Sequence, residues 1–176
     1  MVPPIVKQVW PCRFGHATIR FDSSSVGGQL ISYVRRTEGN LMDATVVHEA
    51  AAATLAGTLP FPQIVAKLIG AGVEYYHVDY AGACKRFYDA NGTCVVTPIP
   101  YEGLPAVAAE LDVEALRDDI RDSQQNGQHY RDFTVRAMRA GVQGYFAFLR
   151  GQRVTYLGRT GDQHTEWFPG AGPKRS

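Results

Sequence analysis

The sequence predicts an α+β fold: two repeated ααβββ units whose helices pack on one face of a largely antiparallel sheet. Three observations carry this reading. The chain of 176 residues is 45% hydrophobic and 20% charged, which suits one compact core. From Met42 onward, capped stretches of helical periodicity give way to short β-branched and aromatic runs separated by glycine and proline turns. At an offset of 69 residues the same pattern returns: Asp43 meets Asp112, Ala71-Gly72-Val73 meets Ala140-Gly141-Val142, Tyr76 meets Tyr145, Gly82 meets Gly151 and Gly92 meets Gly161. These matches fall on caps, turns and the helix-to-strand joint, where backbone geometry dictates the residue type.

In the first half (42–97), Asp43 is placed to cap a helix that buries Val46, Val47, Ala50 and Leu55, and Gly57 to end it. Pro62 sits in the first turn of a second helix, where its missing N–H is harmless. That helix sets Phe61, Ile64, Val65, Leu68 and Ile69 on one side and stops at Gly72. Strands follow at Val73–Tyr80, through Phe87-Tyr88, and at Cys94–Thr97, ending at Pro98. Asn91-Gly92 reads as a two-residue type I′ hairpin turn, whose central positions need positive φ.

In the second half (111–168), Asp112 caps a helix carrying Val113, Leu116 and Ile120 and ending at Asn126-Gly127. A further helix carries Tyr130, Phe133, Ala137 and Met138 up to Gly141, followed by strands Val142–Leu149, Arg153–Leu157 and His164–Phe168. Thr97–Leu111, with Pro98, Pro100, Gly103 and Pro105, reads as the linker, and 170–176 as a flexible tail. Residues 1–41 differ in character: Pro3, Pro4 and Pro11, a serine run, and five basic against two acidic residues. Short strand-like pieces occur at Ala17–Phe21 and Leu30–Val34. The segment reads as an extension outside the domain, upstream sequence translated from an early start codon, or alternatively as a basic arm with a function of its own.

Eighteen Lys+Arg face seventeen Asp+Glu, so no global field marks a nucleic-acid or membrane binder. Cys12, Cys84 and Cys94 form no CxxC pair, which argues against a disulfide framework or zinc knuckle and suits a reducing cytoplasm. No apolar run approaches the roughly 18 residues of a membrane span, and Met1–Lys7 lacks the pattern of a signal peptide. Asn91-Gly92-Thr93 fits a glycosylation sequon but is better explained as a turn. Gly170–Lys174 lacks the spacing of a phosphate-binding loop.

Three groups of residues are chemical candidates. His77-x-Asp79 and His164-x-Glu166 each place an imidazole and a carboxylate on one side of a strand. Were those strands neighbours, His77, Asp79, His164 and Glu166 would surround a divalent metal or supply acid and base groups; otherwise they are a solvated sheet face. Tyr75, Tyr76, Tyr80, Phe87 and Tyr88 form an aromatic cluster, either packing or the lining of a ligand groove; Tyr75, Tyr76, Tyr88 and Arg159 are the ligand-binding candidates, with His77 as a further polar anchor. Arg131, Arg136, Arg139, Arg150, Arg153 and Arg159 stand against Asp132 alone between Gly127 and Thr160. With Tyr145, Phe146 and Phe148 they would bind phosphates and stack bases, or else pair with the acidic stretch Glu110–Asp122.

Phe61-Pro62-Gln63-Ile64-Val65, Ala71 through Asp79, and Gly158 through Glu166 resemble the YdfO-like family over about residues 42–169. The resemblance implies a small, prophage-associated bacterial protein with a duplicated α+β fold, sometimes labelled a phage envelope protein, and it supplies no activity. The leading expectation is therefore a cytoplasmic, non-catalytic binding or interaction module for a protein or small ligand, without a cofactor. The alternatives are a metal-assisted or acid/base enzyme built on the two His/carboxylate pairs, and a nucleic-acid-binding accessory protein.

Overall fold

The computed structural model of the chain describes residues 41–173. The N-terminal extension up to residue 40, with its strand-like pieces and Cys12, and Lys174–Ser176 lie outside the described residues.

The expected element order is present. Helices α1 (Ala44–Ala56) and α2 (Phe61–Gly70) precede strands β1 (Tyr75–Asp79), β2 (Cys84–Tyr88) and β3 (Cys94–Pro98). Helices α3 (Val113–Asn126) and α4 (Tyr130–Arg139) precede β4 (Val142–Phe148), β5 (Arg153–Gly158) and β6 (Gln163–Trp167). The caps act as their residue types require. The Asp43 carboxylate accepts from the N–H groups of Thr45 and Val46 at 3.0 and 3.2 Å, and Asp112 accepts from Ala115 at 3.0 Å. Gly57 and Gly127 end α1 and α3 in the left-handed conformation.

The six strands form one antiparallel sheet in the order β3-β2-β1-β4-β5-β6, so the first strands of the two halves meet at its centre. Gly72 (φ 84°) and Gly141 (φ 88°) turn α2 and α4 toward that central pair. The N–H of Asp43 donates to Ala71 O, and that of Asp112 to Ala140 O, both at 2.9 Å. Each helix pair is thereby tied to its own strand entry.

Strand alternation separates two faces. Tyr76, Val78, Phe87, Tyr145, Ala147, Val154 and Tyr156 point toward the helices and join Val47, Leu68, Leu116 and Ala137 in the core. At a typical 25 cal/mol per Å² of apolar burial, each large side chain here contributes roughly 1.5–3 kcal/mol. Phe61 and Ile69, expected on the buried side of α2, are half exposed, because only Ile64 and Leu68 of that helix reach the core.

One turn differs from expectation. The Asn91-Gly92 connection is longer than two residues: the Asp89 N–H donates to Thr93 O, and only Gly92 has positive φ (80°). The reason is Asp89, whose carboxylate accepts from the N–H groups of Asn91 and Thr93 at 2.9 and 2.8 Å and organises a wider loop. No described helix is long and apolar enough to cross a membrane.

Candidate functional site

The side of the sheet away from the helices presents three cross-strand rows. The first runs through all six strands: Cys94, Tyr88, Tyr75, Phe148, Arg153, Trp167. The second is Val96, Arg86, His77, Phe146, Thr155, Thr165, and the third Pro98, Cys84, Asp79, Gly144, Leu157, Gln163. None of these eighteen positions is buried except Gly144, over which β1 passes so closely that an added Cβ would strike the Val78 carbonyl oxygen.

The first row is a continuous ladder of π systems. Tyr75 and Tyr88 stack at 4.8 Å and 15°, and Tyr75 meets Phe148 at 6.1 Å. The Arg153 guanidinium lies 5.5 Å from the Phe148 ring and 5.4 Å from that of Trp167, bridging the two. Such cation–π contacts are worth about 0.5–1 kcal/mol at exposed sites. In the second row, His77 stacks on Phe146 at 4.3 Å and 17°. Burial among these neighbours holds the His77 imidazole below the ordinary histidine range, against the pull of Asp79 and with help from Arg86. It is therefore a neutral aromatic ring at pH 7.

Asp79 is engaged locally. One carboxylate oxygen accepts from the Gly82 N–H at 2.7 Å and the other from Arg86 at 3.2 Å. Burial pushes its pKa up, but those two donors outweigh burial and hold it below the usual carboxylate value. It is a clip for the β1–β2 turn.

The shared His/carboxylate site does not form. His164 and Glu166 pair across β5 with Tyr156 and Val154, both core residues, so their side chains lie on the helix-covered side of β6. His77 and Asp79 lie on the opposite face of β1, and β4 and β5 stand between those strands. Two-residue periodicity fixes the parity within a strand but not between strands, which is why the sequence left this open. His164 Nε2 and Glu166 Oε1 instead meet each other at 2.5 Å, with Arg117 of α3 at 3.9 Å from the same oxygen. Among the described residues, no three His, Cys, Asp or Glu side chains converge as metal ligands would.

The remaining candidates also divide. Tyr75 and Tyr88 lie on the open face, whereas Tyr76 is buried in the core and Arg159 donates to Val107 O at 3.2 Å, away from both tyrosines. Four candidates for one ligand groove thus occupy three places. The arginines form no single patch: Arg136 pairs with Asp119 and Asp122 at 2.9 and 2.5 Å, and Arg131 donates to Glu102 O. Arg150 and Arg153 alone border the open face, where with Tyr75, Phe148 and Glu74 they line a shallow depression of about 400 Å³. No family model matches the chain, and a comparison with curated proteins finds no match.

Sequence reasoning missed Trp167, the bridging role of Arg153, and Lys85. For Arg153 the signal was present, since an arginine opposite Phe148 follows once the β4–β5 turn is placed. For Lys85 it lay in Cys84–Tyr88, where alternation puts Lys85 on the same side as Phe87.

Proposed function

We propose that the chain is a non-catalytic interaction module whose open sheet face docks a second copy of itself. The observation that carries this reading is the composition of the three rows. Tyr, Phe, Trp and Arg are abundant there, Lys, Glu, Ser and Ala are absent, and Asp occurs once, which is the bias of protein–protein interfaces.

Area and charge choose the occupant. Six strands about 4.8 Å apart and about five residues long give a planar footprint of roughly 500 Å², before side-chain relief is counted. Counted on both partners this is about 1,000 Å², at the low end for a specific protein–protein interface. Arg86 is paired with Asp79 and Arg150 with Glu74 at 3.2 and 3.4 Å, leaving Arg153 as the surplus cation of the face. A nearly neutral, aromatic surface suits a like surface better than a polyanion, whose binding needs several free cations.

The same reading treats the two halves as a duplicated ααβββ unit. Its support is the recurrence of unusual backbone: Ala83 (φ 48°) and Gln152 (φ 50°) are the two positive-φ residues other than glycine among the described residues, and they are 69 apart. The YdfO-like resemblance would add a prophage-associated origin but no activity.

Sedimentation equilibrium of the full chain tests the proposal. A concentration-dependent dimer that Phe148→Glu converts to monomer, with unchanged far-UV spectrum, is expected. A monomer up to about 100 μM, or salt-sensitive retention of single-stranded oligonucleotide by the same face, would overturn it.

A further inference from the structure

On the helix side of the sheet, away from the proposed interface, Lys85 is only 2% exposed. It borders a cavity of about 40 Å³ whose wall includes Ala50, Ala51, Ile64, Leu68 and Phe87. Tyr76, Tyr130 and Tyr145 complete the lining. The Lys85 Nζ lies 3.9 Å from the centre of the Tyr130 ring, and the hydroxyls of Tyr130 and Tyr145 are 3.0 Å apart. Phe61, half exposed, stands where the cavity reaches the surface.

Two features here ask for a partner. Among the described residues no carboxylate pairs with Lys85, and the contact its buried amine makes there is with the Tyr130 ring face. Thr97, directly across β3 from Lys85, is 3% exposed, and its hydroxyl has no partner among the described residues. Buried polar groups are ordinarily satisfied, and a buried lysine with no described carboxylate, paired across the strands with a residue whose hydroxyl is unpartnered, marks a place where a polar ligand would be satisfied.

We propose that the Lys85 ammonium, the Tyr130 and Tyr145 hydroxyls and the apolar wall of α1 and α2 form a binding site for a short-chain carboxylate. Each part has a role. The ammonium offers a charge-assisted bond to one carboxylate oxygen. The Tyr130–Tyr145 hydroxyl pair, in which one donates to the other, gives its one remaining proton to the second oxygen, and Ala50, Ala51 and Leu68 receive the alkyl end. The volume admits only a few heavy atoms, as about 10–15 Å³ by this measure holds one water. Acetate and propionate fit that size, and larger anions do not.

Ligand binding is coupled to a proton. Burial lowers the Lys85 pKa to about 7, so above that pH the free protein holds a neutral amine. Among the described residues, the titratable groups facing it are Tyr76 of β1, Tyr145 of β4 and Tyr130 of α4, all pushed well above the ordinary tyrosine range by burial and neutral throughout. α1 and α2 contribute no charged group to the cavity, and β3 contributes Thr97 beside it. An incoming carboxylate therefore raises the Lys85 pKa, and binding takes up close to one proton at pH 8.

Calorimetry with propionate at pH 8, in phosphate and in Tris, reads this directly. The expected result is saturable binding whose heat differs between buffers by about one proton, with affinity falling toward tenfold per pH unit above pH 7. Lys85→Met should abolish the binding. In the wild-type protein labelled with ¹³C-lysine, the Lys85 titration midpoint should move upward on adding propionate, a readout independent of how the variant folds. Absence of propionate and acetate binding, binding without proton uptake, or an unmoved Lys85 midpoint would each overturn the site.

Discussion

His77 stacks on Phe146, and the two are each other's counterparts at the 69-residue offset. The antiparallel register of β1 and β4 thus has its centre on this pair. Positions 69 residues apart spread symmetrically outward from it: Val78 opposes Tyr145, and Tyr76 opposes Ala147. One half uses imidazole where the other uses phenyl, and the stack tolerates both because the imidazole is uncharged.

That symmetry predicts the behaviour of His77→Phe. A histidine whose folded pKa is depressed leaves the unfolded chain binding more protons just below pH 6.5, so its contribution is complete above that value and lost as pH falls through the folded pKa. His77→Phe should flatten the decline of Tm between pH 7 and 5. An unchanged pH profile in the variant would show that the His77 ring is not held neutral.

Lys85 works in the opposite direction along the pH axis. Its folded pKa of about 7 lies below the unfolded value of 10.5, so stability should rise as pH increases from about 7 toward 10. Lys85→Met, which keeps length and removes the amine, should raise stability at pH 7 by about 1–4 kcal/mol. Urea denaturation at pH 7 and 9 checks both statements; a destabilised variant would contradict them.

Asp119 carries a third pH signature. Burial raises its pKa to about 6, although Gln128 and Arg136 pull it back and Asp122 adds to the rise. A carboxyl raised in the folded state stabilises below its unfolded pKa and loses that contribution as pH climbs through 6. Asp119→Asn should therefore remove a fall in stability between pH 4 and 6.5, read from thermal melts. Identical slopes in the two proteins would assign that fall to other groups.

Gly72 and Gly141 share a left-handed conformation, so Ala at either should cost about 1–2 kcal/mol through backbone strain. At Gly141 a Cβ would also collide with the carbonyl oxygen of Glu110, and the Leu111 Cα is 2.9 Å from the same point. Gly141→Ala should cost clearly more than strain alone, and chemical denaturation that found it no costlier than about 2 kcal/mol would refute the packing account.

Much of the fold was legible because its signals are local. Asp43, Asp112, Gly57 and Gly127 announce helix ends within a few residues of where they act, and the strand bounds agree to within two residues. The candidate site was not legible, because it depends on which way each strand faces. The run from Gln163 to Trp167 gives its buried phase to His164 and Glu166 and exposes its large indole, opposite to what hydrophobicity alone would choose. Only pairing with Val154 and Tyr156 fixes that phase, and pairing is a tertiary fact.

The seam between β1 and β4 has a consequence for how the chain reaches its native state. Within each half the hairpins β1-β2-β3 and β4-β5-β6 close over short turns, whereas the seam joins Tyr75 to Phe148 across about half of the described sequence. Loop-closure entropy makes that junction the slow, non-local event. Substitutions at the seam, such as Val78→Ala, should slow refolding in stopped-flow measurements, while turn substitutions near Gly161 should chiefly accelerate unfolding. The molecule would then assemble as two rapidly formed lobes whose zippering sets the clock.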